Sequence, residues 1–416
     1  MRLTAVRFTP ADFAPPASIQ KMAVRSVGAG VFFSLAALIL ASVLHKWDLF
    51  LHSWLFSFMF WLGLTLGPLA LLMLQYVTGG NWGRLGRRIW EAAAGNLWLV
   101  FLFWLPVAFG MRHIYPWAAM LHDNFAGAVA RYGADKVHYY LNPTGFWVRG
   151  FIYFIGWGLL YLRLMSWSKK EEAGEATPAK FVSVQNISGA GIMFYGLALT
   201  FGSIDWTMSL YPEWWSTVWG MLTMVGQVLT TLCFTIWLLV RLAQEDPVAR
   251  IFKTDYLHDF GKLMFAFVVL WAYLSFSQWI IIWSGNMLSE IRWYLMRLDQ
   301  GWQYFGTLLI LAHFVFPFAL LLSRNLKRHA KRVVGIALLV LFMRFVDLFW
   351  ITAPNFYKGT ENGLNNFHWV DGLMYVLCPI GMGGIWLFFF FRRLSRRSLM
   401  PVNDPHFVEM LEAKHG

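Results

Sequence analysis

Charged residues are scarce in this sequence: Asp, Glu, Lys and Arg make up 13% of its 416 residues, against about 25% in an ordinary soluble domain. With 58% hydrophobic residues and a mean hydropathy of +0.52, the composition excludes a soluble globular chain. Cysteine is nearly absent, and Cys233 and Cys378 both fall in apolar stretches. Their number rules out a disulfide framework, or an iron-sulfur cluster held by this chain alone. No Cys-x-x-Cys-His occurs, and no Walker loop or Gly-rich dinucleotide fingerprint precedes a helix. Haem between membrane helices needs two axial ligands at matching depth. Only His313 lies near mid-span, while His45, His52, His113, His258 and His368 fall at or near span ends. The chain is expected to bring no redox centre and no nucleotide site of its own.

What is abundant is apolar sequence in lengths of roughly 20 residues, enough for a helix to cross about 30 Å of hydrocarbon. Ten such spans are expected, over 24–44, 50–77, 90–114, 145–167, 186–206, 214–243, 257–284, 301–323, 331–352 and 370–392. The first is too long, and too far from the N-terminus, for a cleaved signal core, so it should remain as a helix. Lys and Arg accumulate in cytoplasmic loops. The N-terminus, the loops after spans 2, 4, 6 and 8 and the C-terminus, with adjoining span ends, hold 24 basic residues against 7 on the opposite side. A missed or invented span in the middle would destroy that asymmetry. The expected fold is therefore an all-α polytopic membrane protein: a cytoplasmic segment 1–23, a ten-helix domain 24–392 and a cytoplasmic tail 393–416. The net charge of +12 is mostly a topology signal. Its dispersal among hairpin turns argues against nucleic acid as a partner.

Loops leave no room for a soluble domain. The outer loop 115–144 can hold a short amphipathic helix at the membrane surface. "KKEEAGEATPAK" (Lys169 to Lys180) reads as a flexible inner linker. Ser53 and Gly63 followed by "GNLW" at Gly95 echo Ser216 and Gly226 followed by "GKLM" at Gly261. That echo suggests two four-helix bundles, spans 2–5 and 6–9, repeated in one orientation. Pro68, Pro106, Pro317 and Pro379 should kink their helices. In "SIDWTMSLYPEWWSTVWG" (Ser203 to Gly220), Trp206, Tyr211, Trp214, Trp215 and Trp219 fit an interfacial aromatic belt. There Pro212 shapes the turn between the bundles, and Ser216 or Thr217 is placed to cap span 6.

Ionisable groups inside the spans are the informative ones, because burying a charge is costly unless it is paired or hydrated. Arg344 and Asp347 stand three residues apart on one face of span 9 and can pair. His313 lies at similar depth in span 8, and span 6 contributes Gln227. Two readings stand side by side: an ion pair that merely orients helices, or a polar relay in the second bundle that also draws on Asp205. At the outer face, Arg112, His113, Gln278, Asn286, His368 and Asp371 supply acids, bases and amides, the chemistry that quinone-ring recognition and proton release require. At the inner face, Glu91, Asn96, His258, Asp259 and Lys262 can form a proton entrance or be ordinary wetted helix ends.

"FGSIDWTMSLYPEWWSTVWG", "HDFGKLMFAFVVLWAYLSFSQWIIIWSGN" (His258 to Asn286), "FHWVDGLMYV" (Phe367 to Val376) and "PVNDP" (Pro401 to Pro405) occur in that order. Together they resemble the polysulfide-reductase, NrfD-like integral membrane family, in particular the F-type (ActF-like) membrane subunits of bacterial alternative complex III. The likeness runs from about residue 20 to 405. It implies ten helices in two four-helix bundles flanked by helices 1 and 10, in a bacterial inner membrane. It implies a quinol-oxidising respiratory complex with a second NrfD-like membrane subunit, multihaem cytochrome and iron-sulfur subunits, and a haem-copper oxidase or cytochrome c as acceptor. Haem and iron-sulfur clusters would sit on those partners, with quinone or quinol the one ligand this chain would meet. The positions matching the family are Asp205, Ser216, Thr217, His258, Asp259, Lys262, Gln278, Asn286, His368 and Asp371, and no catalytic role is carried over to them. The resemblance implies a proton-conducting or scaffolding subunit, not catalytic alone, against the alternative of an independent transporter.

Overall fold

The computed structural model describes residues 8–80, 82–175, 178–357, 367–404 and 407. Part of the 169–180 stretch, Pro405 of "PVNDP" and all of the tail after Phe407 lie outside them. Among the described residues there is no strand. Ten helices are long and apolar enough to cross a membrane: α1 Ala17–Val43, α2 Trp47–Thr78, α3 Arg87–Phe109, α4 Pro143–Glu172, α5 Phe181–Leu210, α6 Trp219–Leu242, α7 Thr254–Gly285, α8 Trp302–Leu321, α9 Ala330–Phe356 and α10 Trp369–Leu394. Each overlaps one of the ten expected spans.

The helices close into two rings. In the first, α2 packs on α3 and α5 while α4 packs on the same two; in the second, α6 packs on α7 and α9 while α8 packs on the same two. The rings meet along α2, α5 and α6, and α10 lies against α2 and carries α1 on its far side. Helices apolar on every side belong in the interior, and α2 and α6 are buried around most of their circumference. By contrast α1, α4, α7 and α8 keep most of their surface facing outward, toward lipid. Between lipid-like surfaces, close backbone approach takes the place of hydrophobic drive. Gly30 and Gly384 supply it at the α1–α10 seam, where a Cβ on either would strike the opposing backbone.

The proposed repeat has a structural counterpart. Gly95 and Gly261, the first residues of the two echoing tetrapeptides, each make room for a basic side chain, Arg393 and Lys327 respectively. The segment before α1 packs against the segment after α10: Leu399 N donates to Phe13 O (2.9 Å), and Phe8, Phe13 and Phe407 form one aromatic cluster.

Four local expectations need correction. The outer loop holds not one short helix but Pro116–Asp123, Phe125–Tyr132 and a π turn, Lys136–Tyr140. The inner linker is shorter than expected, because α4 continues through Glu172, whose carboxylate, like that of Glu171, is held by arginine. In the 203–220 hairpin, α6 starts only at Trp219, and neither Ser216 nor Thr217 caps it; the Ser216 hydroxyl instead donates to Gln278 (2.9 Å). Its aromatics are also not a lipid-facing belt: Trp206, Trp214 and Trp219 are fully buried, and Trp215 alone of the four tryptophans is exposed. Trp214 stacks on Trp293 (4.6 Å, 14°) of the short helix Leu288–Leu298, a partner that the hairpin sequence by itself does not reveal.

Candidate functional site

The polar centre of the second ring is assembled from α6, α7, α8 and α9. The three-residue spacing on α9 brings Arg344 and Asp347 into an ion pair, and both are buried. Arg344 fits because Gly226 of α6 has no side chain, and any Cβ there would overlap the guanidinium. The indole of Trp271 on α7 donates to Asp347 Oδ2 (3.3 Å). His313 packs against the same indole (ring centroids 4.0 Å apart).

His313 owes its position to Pro317. Proline offers no N–H to the carbonyl four residues earlier, here that of His313, and the helix widens into a π segment over Leu309–Val315. Such π segments frequently occur at functional sites. Neither ring nitrogen of His313 bonds to Arg344 or Asp347; Trp271 contacts both His313 and Asp347.

A cavity of about 20 Å³ is lined by Gly63, Thr207, Thr223, Gln227, Thr230, Arg344 and Asp347. That is room for about one water molecule. Gln227 Oε1 accepts from the Tyr195 hydroxyl (3.1 Å) of α5, joining the rings. Gln227 Nε2, Arg344 Nε and both ring nitrogens of His313 are buried without a protein partner. Unpartnered buried polar atoms occur elsewhere too, as at Ser53, Gln75 and Arg88 of the first ring, but here they accompany an ion pair and a cavity of water size. The carboxylate can take up a proton, the guanidinium sets its charge, and the cavity connects the pair to Gln227 and the α6 threonines.

Asp205 does not join this group. It is buried at the outer end of the first ring, where Arg149 of α4 binds both carboxylate oxygens (2.8 to 3.2 Å) and the Tyr153 hydroxyl donates a further bond (2.9 Å). Arg149 is the partner the sequence reading missed, although it is visible as the fifth residue of the apolar span 145–167.

The outer-face candidates are dispersed. His113 pairs with Asp48 (2.8 Å) and Arg112 with His122 (2.9 Å), all exposed. Gln278 is buried between Ser216 and Tyr294 (both 2.9 Å). His368 and Asp371 form the N-terminal capping box of α10, with Lys46 3.5 Å from Asp371, and Asn286 is the left-handed C-cap of α7. These residues are thus held by separate sets of partners. Among the described residues no three His, Cys, Asp or Glu side chains are grouped as a metal site.

The inner-face candidates also separate. Asp259 and Lys262 form an exposed pair (3.2 Å), and His258 Nδ1 is unpartnered. Glu91 belongs instead to a network at the inner end of the first ring. It binds Arg88 (2.8 Å), Arg87 (3.3 Å), Arg397 (3.1 Å) and the Ser168 hydroxyl (2.7 Å). Arg87 in turn reaches Glu171 and Asp404 (3.1 Å), and Arg84 reaches Asp404 (3.4 Å). Arg397 also binds Glu172. Four arginines thus face four carboxylates drawn from α3, α4 and the chain after α10. Sequence reading placed these arginines in inner loops as topology signals, and nothing local shows that they fold back onto one another.

A second missed residue is Arg297 of the Leu288–Leu298 helix. It is fully buried, lies over the Trp293 ring (3.5 Å) and donates to the carbonyls of Trp293, Trp350 and Ile351 (2.7 to 3.1 Å). Burial holds its guanidinium well below the ordinary arginine range.

In comparisons with known proteins, no family and no curated protein matches the chain.

Proposed function

We propose that this chain is a non-haem membrane subunit of a quinol-oxidising respiratory complex, in which its second ring carries protons linked to quinol chemistry performed on partner subunits. The observation that carries this reading is the enclosed Arg344–Asp347 pair, with a water-sized cavity and unpartnered polar atoms of Gln227, Arg344 and His313 around it. The order of the four sequence stretches supports the assignment to an NrfD-like subunit in a bacterial inner membrane, beside a second NrfD-like subunit, multihaem cytochromes and an iron-sulfur protein. The dispersal of the outer-face residues favours a quinol site on a partner. Asp347 is the group that exchanges the proton, Arg344 stabilises its charged form, and Trp271 holds the carboxylate in place.

The experiment is Asp347→Asn in the intact complex. The expected result is normal assembly with proton yield or turnover lowered about a hundredfold, the lower end of what a positioned proton-transfer group typically contributes, about 10². Normal yield and turnover would defeat the relay. The scaffold reading is favoured by one observation, that the carboxylate already has both Arg344 and Trp271 as partners. On that reading the variant lowers the amount of intact complex and leaves its specific activity unchanged. An independent transporter would purify alone, whereas a subunit of this complex should bring haem absorbance with it.

A further inference from the structure

A groove of about 470 Å³ runs along the outward surface of the first ring between α3 and α4. Its walls are Trp98, Phe101, Phe151 and Ile155, a surface suited to hydrocarbon, and at one end it meets Tyr161 and Arg393. Arg393 stands in the last turn of α10, shortly before Leu399, whose N–H donates to Phe13 O. Two residues set its place. Gly95 lets the guanidinium and the Tyr161 hydroxyl come up against the α3 backbone, since a Cβ there would collide with both. Asn96 accepts a bond from Arg393 Nη1 (3.3 Å) while donating its own to Trp386 O (2.9 Å).

Arg87, Arg88 and Arg397 of the inner network all face carboxylates. Arg393 makes no ion pair among the described residues; its one side-chain acceptor is a neutral amide. A cation held at the mouth of a hydrocarbon-lined groove calls for an anion with an apolar tail. A neutral quinone would leave that charge uncompensated, and a free phosphate would leave the aromatic walls uncovered.

We infer that this groove is a binding site for an anionic phospholipid, with its phosphate on Arg393 and Tyr161 and an acyl chain along α3 and α4. Basic pockets between membrane helices on the cytoplasmic side are suited to such head groups. The inference is independent of the relay in the second ring.

The test is native mass spectrometry of the full chain, with whatever subunits accompany it, delipidated and then titrated with phosphatidylglycerol or phosphatidylcholine. The wild type should retain phosphatidylglycerol about fivefold better than phosphatidylcholine, the value of roughly one cation near a head group. Arg393→Gln should abolish that preference. Gly158→Leu should weaken both lipids alike, because Gly158 lines the groove and a Cβ there meets no atom within 4 Å. That variant is expected to fold and keeps the test open if Arg393→Gln does not. Added inorganic phosphate at millimolar concentration should not displace the lipid. Equal retention of the two lipids by the wild type, an unchanged preference in Arg393→Gln, displacement by phosphate, or a neutral quinone co-purifying in the groove would each overturn the inference.

Discussion

Single residues decide much of the electrostatics here, because losing one partner leaves a buried charge uncompensated. Asp205 and Arg149 are the clearest case. Removing one member of a buried pair leaves the other uncompensated, which typically costs about 3 to 5 kcal/mol. Arg149→Gln should therefore lower the unfolding free energy of the purified protein by about 3 kcal/mol, read by denaturant or thermal unfolding. The double change Arg149→Gln with Asp205→Asn should recover most of that loss. A double variant no more stable than the single one would show that Arg149 acts through packing against Tyr140, over whose ring it lies (4.1 Å). The acid was legible in the sequence and its partner was not, since Arg149 and Asp205 are 56 positions apart and nothing local to either names the other.

Elements place the groups that the residues then use. The π segment in α8 follows from Pro317 and turns His313 against Trp271. Sequence reading identified the proline and the histidine separately but not the widened turn between them. The short helix Leu288–Leu298 has a comparable role at the outer end of α9, where Arg297 binds the carbonyls of Trp350 and Ile351. A cation near the C-terminal end of a helix is favourably placed, and three separate carbonyls require the forked geometry of a guanidinium. Arg297→Lys should consequently destabilise the protein by about 2 kcal/mol, although the charge type is kept. A melting temperature equal to that of the wild type would show that the charge suffices without the fork.

At the scale of the whole molecule, the inner network ties the residues after α10 to the first ring. Arg397 links Glu91 of α3 with Glu172 of α4. Arg397→Ala should speed proteolysis in the 169–180 stretch and lower stability by about 2 kcal/mol, less than the figure for a fully buried pair because Arg397 is partly exposed. Limited proteolysis of protein in lipid nanodiscs measures this, and an unchanged cleavage rate would refute the tie. The two-ring arrangement itself has its echo in the sequence, through Gly95 and Gly261, yet the two glycines admit different basic residues, Arg393 and Lys327. The rings are built alike and used differently: the first ends in networks of several arginines and carboxylates, whereas the second encloses a single ion pair beside a water-sized cavity.

The number and order of the membrane helices were determined by sequence alone, because spanning is a matter of length and apolarity and the basic loops confirm the alternation residue by residue. The Arg344–Asp347 pair was equally legible, since three-residue spacing on one helix is a local property. Tertiary structure decided everything that links distant segments: Arg149 to Asp205, Arg87 to Glu171 and Asp404, Trp214 to Trp293, and the indole in contact with both His313 and Asp347. The physical reason is that apolar periodicity shows that a helix spans but not which neighbour each face meets. A tryptophan facing lipid and one facing another helix read identically until packing buries one of them.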